Sequence, residues 1–395
     1  MNKFVSKNDV RSYSSAKIVI ASVVVNFLLI IAFALEAEPI RAEFRDLGTF
    51  GGAFSFAYDI NDRGDVVGRA TLNEGPNRDW NAFVYLTRPG YGLPLGQLVS
   101  LGTVEGGWLA EGSSITEAGE VVGWGYDLNA RIVDVRWDLK SSLVGQRSIN
   151  AYQSRMSAIA KQKYSVGWLQ NQSDGNTEAF VQSWGGRVKP IGSLFGYRLS
   201  AAYGINDFGS VVGYSWNFPE LNQKAFIWTN ADGLKALQSS SSICCESVAL
   251  KINNRGNIIG SVSTGSSIYD STHPVVWENS DEAPMDLGTL GGSKAWTSDI
   301  NNRGEIVGRS VTPSGVNHGF LWKDGRMMDL NELLVELQGR NLVQLPQGFA
   351  YIEAAQAINN AKRRQIVGYY EGEDQNGPFI HAFLLTLSEG FLERL

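Results

Sequence analysis

The segment DINDRGDVVG at residues 59–68 resembles a metal-binding loop. Its aspartate and asparagine side chains supply oxygen atoms just ahead of a glycine, as in the calcium loop of an EF-hand. An EF-hand also needs an oxygen ligand at its fifth position and an acidic residue at its twelfth. Arg63 and Ala70 occupy those positions here, so we favour a structural turn over a calcium site.

The segment recurs along the chain, which also favours a structural explanation. Its seven copies carry a lead isoleucine at positions 60, 115, 159, 205, 252, 300 and 358. An asparagine after the isoleucine can bond to the backbone of its own turn, and a glycine three residues later can take a left-handed conformation. A later glycine, present in every copy, indicates a close approach of neighbouring strands or repeat units. The residues assigned to turns and close contacts are Asn61, Gly64, Gly68, Asn206, Gly209, Gly213, Asn253, Gly256, Gly260, Asn301, Gly304 and Gly308.

Three histidines form a second candidate site, because they occupy the same position in consecutive copies. His273, His318 and His381 would reach one metal ion if their repeat units converged on an axis. Other residues hold this position in the remaining copies, and no carboxylate or cysteine accompanies the three in the repeat pattern. We therefore expect repeat-consensus histidines at a strand start, with no metal and no cofactor.

Aromatic residues just past the later glycine form a third candidate site. Trp124, Trp168, Tyr214 and Tyr369 hold this position in four copies. Flat rings of this kind either stack on a sugar or peptide, or pack as core between repeat units. Packing is the interpretation that we favour, and a ligand platform is the alternative.

Sequence motifs for catalysis are missing from this chain. It contains no Gly-x-Ser-x-Gly elbow, no His-Glu-x-x-His pair and no phosphate-binding loop. A glycosidase needs only two suitably spaced carboxylates, which a sequence does not reveal. Recognition is expected instead in the polar loops that vary most between copies, since variable loops on a rigid scaffold often bind ligands. These loops are residues 71–80, 126–132, 170–177, 216–223, 263–272, 311–317 and 371–380.

The elements that position these residues are short strands. Each copy has four apolar runs of a few residues, separated by glycine or polar residues, which is typical of strands rather than helices. Four strands in about 50 residues predict a propeller blade. The sequence thus predicts an all-β propeller of seven four-stranded blades, in which residues 46–49 complete the last blade. Residues 329–337 are expected to be helical. An open β-solenoid or an irregular sandwich is the alternative fold.

The repeat resembles a known family. The motifs DLGTLGG, INNRGEIVGRS and HGFLW within residues 286–322 are similar to the bacterial HAF repeat, and the pattern covers most of residues 45–387. The second and third copies are degenerate, and the motif His-Ala-Phe itself is intact only at residues 381–383. The resemblance implies an extracellular, propeller-like repeat protein. It implies no catalytic residue and no cofactor.

The first 42 residues differ from the rest. A basic head precedes the apolar run at residues 18–35, which indicates a signal peptide or an uncleaved signal anchor. We favour cleavage, with residues 43–395 as the exported repeat domain. The net charge of −6 argues against nucleic acid as a partner. The adjacent Cys244 and Cys245 are expected to be plain thiols or a strained disulfide, with a redox or metal role as the alternative.

These observations predict an exported, non-enzymatic binding or scaffold protein of the cell envelope or extracellular space. We expect it to be a monomer that recognises a glycan or an extracellular protein through its rim loops, with membrane contact only through the N-terminal segment. The alternatives are a carbohydrate-active hydrolase or lyase on the same scaffold, and a purely structural envelope protein. An enzyme would show one deep pocket with convergent carboxylates, whereas a binding protein would show a broad surface.

Overall fold

A computed structural model describes residues 41–72, 79–104, 106–149, 151–219, 222–239, 246–263 and 272–389. The apolar segment 18–35 and the two cysteines lie outside these ranges. Within them, no helix combines the length and the apolar character needed to cross a bilayer. Residues Ala42–Thr386 form one compact unit.

The described residues form seven four-stranded antiparallel sheets. Six have their strands in chain order, and the seventh takes its outer strand from the N-terminal side of the first blade. The first strands of the sheets are β2 (Ser55–Ile60), β6 (Ala110–Ile115), β10 (Gln153–Ile159), β14 (Leu199–Ile205), β18 (Ser247–Ile252), β22 (Ala295–Ile300) and β26 (Phe349–Ile358). The second strands are β3 (Val66–Thr71), β7 (Glu120–Tyr126), β11 (Tyr164–Gln170), β15 (Val211–Trp216), β19 (Ile258–Ser263), β23 (Ile306–Val311) and β27 (Arg364–Asp374). The third strands are β4 (Trp80–Tyr85), β8 (Ile132–Asp138), β12 (Thr177–Ser183), β16 (Gln223–Thr229), β20 (Thr272–Trp277), β24 (Asn317–Lys323) and β28 (Gly377–Leu387). The fourth strands are β5 (Leu98–Gly102), β9 (Ser142–Gln146), β13 (Val188–Gly192), β17 (Gly233–Ala236), β21 (Met285–Asp286), β25 (Arg326–Asp329) and, in the last sheet, β1 (Ala42–Gly48).

The sheets are the blades of a closed seven-bladed propeller, as the sequence predicts. Each first strand contacts the first strands of both neighbouring blades, and β26 contacts β2 to complete the ring. Hydrogen bonds also close the ring, because β1, which precedes blade 1 in the sequence, pairs with β28 as the outer strand of blade 7. Closure leaves no sheet edge facing a missing blade, which would otherwise invite pairing with another chain.

The glycine shared by all seven copies lies on the second strand, where the first strand is closest. A Cβ atom on Gly68 would stand 1.9 Å from the carbonyl oxygen of Phe56, and the seven equivalent contacts all fall between 1.8 and 2.1 Å. A β-bulge follows in every first strand, such as the register shift between Ala57 and Asp59. The close approach predicted from the sequence therefore occurs between strands of one blade.

The hydrophobic core lies between consecutive blades. Alternate residues of each strand enter it, and Phe83, Phe180, Phe226, Phe320 and Phe383 on the third strands are fully buried. Three of these rings, in blades 1, 4 and 6, lie within 2.8 Å of the Cβ position of the shared glycine, so they fill the space that its missing side chain leaves. This explains why phenylalanine and glycine occur together in the repeat.

Helix α1 (Leu330–Gly339) follows β25 and closely matches the helix predicted at 329–337. Its four leucines are buried, and Asp329 caps the helix by accepting a hydrogen bond of 2.8 Å from the backbone N–H of Asn331. The apolar stripe of the sequence thus packs the helix onto the neighbouring strands β24, β25 and β26.

Candidate functional site

The segment at residues 59–68 forms a tight turn in the structure. The Oδ1 atom of Asn61 accepts hydrogen bonds from the backbone N–H groups of Arg63 and Asp65, at 3.1 and 2.9 Å. Gly64 has φ +87°, a conformation that strains other residues. The Nδ2 atom of Asn61 donates to the carbonyl oxygen of Thr116 in blade 2, at 3.0 Å. The amide is fully used by the fold, so it offers nothing to a cation.

The same bond between blades recurs around the ring. An asparagine amide donates to the backbone carbonyl of the equivalent turn in the next blade at 3.0 to 3.2 Å for the pairs Asn206–Asn253, Asn253–Asn301, Asn301–Asn359 and Asn359–Asn61. Blades 2 and 3 lack the asparagine and have Thr116 and Ala160 in its place. There, Lys163 takes the turn position of the glycine at φ +64° and pairs with the buried Glu120 of blade 2 at 2.5 Å.

The three histidines do not converge on a metal. His273 and His318 each place Nδ1 2.6 Å from an aspartate of their own blade, Asp286 and Asp329, and His381 does the same with Asp46 at 3.0 Å. The expectation that no carboxylate accompanies these histidines is therefore wrong, because the Asp-Leu-Gly aspartate on the neighbouring outer strand pairs with each one. Among the described residues, no group of three or more potential ligands could hold a metal ion.

The four aromatic candidates are spread over blades 2, 3, 4 and 7. Trp124 donates from Nε1 to Glu111 at 2.9 Å and lies beneath the guanidinium group of Arg155. Tyr214 stacks on Tyr203 with ring centroids 5.4 Å apart. Tyr369 is buried and meets the ring of Phe56 edge-on, and Trp168 is half-buried on β11. Three of the four rings thus pack against residues of the first strands.

The central channel contains a small cavity at the end where the asparagine turns lie, which we call the turn face. It has a volume of about 260 Å³, and five of the seven lead isoleucines and Asp299 contribute to its lining. Burial raises the pKa of Asp299 to about 6, Lys251 acts to lower it, and Asp59 acts to raise it. The two carboxylates accept backbone hydrogen bonds of 2.9 Å from Ile115 and Ile358 of the next blades, so both contribute to the joints between blades.

A larger groove lies at the opposite end, between blades 2 and 3. We call this end the loop face, because it carries the loops between second and third strands and the connections between blades. The groove has a volume of about 700 Å³, within the range of ligand sites. Its polar and aromatic lining consists of Arg131, Arg147, Tyr152, Gln170, Asn171 and Gln172.

The connection from blade 2 to blade 3, which forms one wall of this groove, is held by a buried aspartate. Asp134 on β8 accepts from the backbone N–H groups of Ser148 and Ile149 at 2.9 and 3.2 Å. It also accepts from the hydroxyl groups of Ser148 and Ser154, at 2.7 and 2.8 Å. In four other copies this position is an alanine (82, 179, 225 and 382). The aspartate that stands at this position in blade 2 therefore holds in place the connection that carries Arg147.

A buried arginine also joins blades 2 and 3. The buried Arg136 of β8 donates to Gln182 of β12 and lies over the ring of Trp184. Desolvation lowers the pKa of Arg136, while Asp134 acts to raise it. Buried polar groups that bond across an interface fix one arrangement of the two partners.

Sequence reasoning found only part of this groove. Two variable loops, 126–132 and 170–177, contribute Arg131, Gln170, Asn171 and Gln172. Tyr152 and Arg147 were missed, because they lie on the connection between blades, where the repeat has no recognisable pattern. The sequence feature that could have pointed to this groove was the poor match of the second and third copies to the repeat pattern.

Comparisons with known proteins give only weak similarities. No family model matches this sequence, and no curated protein does. Similar solved structures include YCF48 bound to D1 peptide, at 12% identity and a TM-score of 0.47, covering 89% of this chain and 96% of that one. The acylaminoacyl peptidase of Pyrococcus horikoshii has 11% identity and a TM-score of 0.47, covering 83% of this chain, which spans 52% of the peptidase. The BP39L lectin of Burkholderia pseudomallei has 9% identity and a TM-score of 0.43, covering 87% and 95%. These similarities are too weak to indicate a function, and membership of the HAF family stays a prediction.

Proposed function

We propose that this protein is an exported binding protein that holds a glycan in the groove between blades 2 and 3. The lining of the groove carries the proposal. The ring of Tyr152 is 39% exposed and stands among three side-chain amides and two guanidinium groups. A sugar has an apolar face that suits such a ring and hydroxyl groups that suit amides, which both donate and accept hydrogen bonds.

Further apolar side chains on the loop face support a binding role. Trp108, Leu128, Phe195 and Phe218 are all exposed there, in the loops and connections of blades 1 to 4. The turn face also carries exposed apolar residues, Leu95, Tyr164 and Phe208, but more of them lie on the loop face. Exposed apolar patches are typical of interaction surfaces. An extracellular protein is therefore the alternative partner for the same face.

Export is part of the proposal and is supported by the apolar segment at residues 18–35 behind its basic head. The resemblance to HAF repeats agrees with an extracellular location. Cell fractionation, with the mass of the mature chain, tests this part. A chain found only in the cytoplasm with its N-terminus intact would contradict it.

A carbohydrate-active hydrolase or lyase is the second candidate function. It is favoured by Asp299, whose pKa is raised to about 6 by burial, with the charge of Asp59 acting in the same direction. The backbone hydrogen bonds that both carboxylates accept weigh against it. If the protein cleaves a glycan and the Asp299→Asn variant does not, the result would support catalysis over binding.

A glycan array followed by calorimetry tests the binding function. We expect Tyr152→Ala to weaken binding at least about tenfold, as for loss of a buried aromatic contact. Tyr164→Ala is the matched control, since Tyr164 is similarly exposed, at 45%, but lies at the turn-face end of β11. Equal losses in both variants, or no glycan bound at all, would contradict the proposal.

A further inference from the structure

We infer that the groove between blades 2 and 3 selects a sugar that carries a carboxylate, a uronate, and that Arg147 is the residue that recognises it. This inference rests on the proposed function and makes it more specific. It depends on the charge of the groove and on the way in which the Arg147 side chain is held.

The guanidinium group of Arg147 is fixed without being neutralised. Its Nε atom donates to the carbonyl oxygen of Ile149 at 3.1 Å, and Nη2 donates to that of Ala151 at 2.6 Å. All three residues line the groove. In the part of the chain that the structure describes, no carboxylate pairs with Arg147. The two carbonyls orient the group while its full charge stays available to a ligand.

The second guanidinium group of the groove differs in this respect. Arg131 forms an ion pair of 3.0 Å with Asp127, and it lies over the ring of Tyr152 at 5.9 Å. No carboxylate is found among the described residues that line the groove. The groove is therefore locally positive on a chain whose net charge is −6, so an anionic ligand is attracted to this place rather than to the surface at large.

A uronate meets each of these features. Its planar carboxylate can accept paired hydrogen bonds from a guanidinium group, which are stronger than bonds between neutral partners. The ring of Tyr152 covers the apolar face of the sugar, and the Nδ2 group of Asn171 and the amide of Gln172 are placed for its hydroxyl groups. The amide of Gln170 bonds to Gln153 and Gly175 at 2.9 Å and shapes the wall of the groove. An acidic peptide would use the guanidinium group as well, and its backbone would bond to the amides, but it does not present the flat apolar face of a sugar ring to Tyr152.

Matched ligands test the inference directly. Calorimetry would compare an oligogalacturonate with the same oligosaccharide after reduction of its carboxyl groups, on the intact protein. We expect the acidic form to bind at least about tenfold more tightly, as for one charge-assisted hydrogen bond. We also expect its affinity to fall with added salt, while that of the neutral form does not.

Substitutions of Arg147 test whether this residue determines the preference for the acidic oligosaccharide. Arg147→Gln should remove most of the preference for the acidic form and leave the affinity for the neutral form unchanged. Arg147→Lys keeps the charge without the planar fork, so it should retain part of the preference. Arg255→Gln is the control, because Arg255 is exposed in the turn of blade 5 and does not line the groove.

The outcomes separate the two proposals. If the neutral oligosaccharide binds as tightly as the acidic one, or if Arg147→Gln keeps the preference, the inference is wrong and the glycan-binding function stands. Binding of polyglutamate in place of both sugars overturns the inference in favour of an acidic protein partner. If no probe binds, both the inference and the glycan-binding function fail.

Discussion

The side-chain amide of Asn359 in blade 7 donates a hydrogen bond of 3.1 Å to the backbone carbonyl oxygen of Asn61 in blade 1. The two residues are far apart in sequence and hold equivalent positions in the repeat. The bond repeats the one that joins Asn301 to Asn359, so the ring closes with the same contact that connects its successive blades. The segment that resembles a calcium loop thus provides the joints of the propeller.

Asn359→Ala should destabilise the fold by about 1–3 kcal/mol, the cost of leaving buried backbone groups without partners. Asn359 is buried, and it also accepts from the backbone N–H of Gln365 at 3.0 Å. Urea unfolding would measure the change. The control is Asn376→Ala, whose hydrogen bonds stay within an exposed hairpin and which should cost less than about 0.5 kcal/mol. Equal unfolding midpoints in the two variants would show that this joint does not stabilise the ring.

Gly308→Ala tests the close approach inside a blade. The added Cβ would stand 2.1 Å from the carbonyl oxygen of Trp296 and 2.8 Å from the ring of Phe320. The oxygen belongs to the pairing of β22 with β23, so relief requires a backbone shift, and we expect a loss of about 3 kcal/mol in unfolding free energy. Gly339→Ala, at the end of α1 with nothing within 4 Å, should instead stabilise by up to about 1 kcal/mol. If Gly308→Ala leaves the unfolding free energy unchanged, the backbone of β22 can shift at little cost.

The fold was predictable because the repeat multiplies a weak local signal. A single Asn-x-x-Gly turn indicates one hairpin. Seven copies with four apolar runs each indicate seven blades of four strands that must close into a ring. The pairing of β1 with β28 followed from the count, since residues 46–49 had no other blade to complete. The bulges of the first strands and the His–Asp pairs were not predictable, because they depend on register between strands rather than on residue order.

The groove was harder to predict for the opposite reason. Its walls consist of residues that do not repeat, such as Tyr152, and no second copy exists against which to align them. The role of Asp134 depends on the path of a connection about fifteen residues further along the chain. A substitution in a repeat shows that the position is special, but the partner that explains it is visible only in three dimensions.

Asp299→Asn should stabilise the protein at neutral pH and not at acidic pH. The pKa of Asp299 is raised by burial from 3.8 to about 6, so the folded state favours the neutral acid. Stability from this group is therefore complete below pH 4 and is lost as the pH rises through 6. Asparagine is always neutral and can still accept from the backbone N–H of Ile358.

We expect the variant to gain about 1–2 kcal/mol at pH 8, less than the full shift would give, because Asp299 is partly exposed to solvent. The difference should disappear near pH 3.5. Urea unfolding of both proteins across this range measures it. A constant difference from pH 3.5 to pH 8 would show that Asp299 does not titrate with a raised pKa.

Asp134→Ala restores the residue that four other copies have at this position, and we expect it to impair the groove more than the fold. The substitution removes the acceptor of three hydrogen bonds from the connection between blades 2 and 3 and of one from Ser154 of β10. The backbone amides of Ser148 and Ile149 should lose protection from hydrogen exchange, while protection in β14 and β22 stays unchanged. Glycan affinity should fall at least about tenfold, since Arg147 and Tyr152 lose their fixed positions. Asp232→Ala, in an exposed hairpin, is the control and should change neither measurement. If Asp134→Ala leaves exchange and affinity intact, the connection holds its shape through other contacts, and the departure from the repeat at this position has another cause.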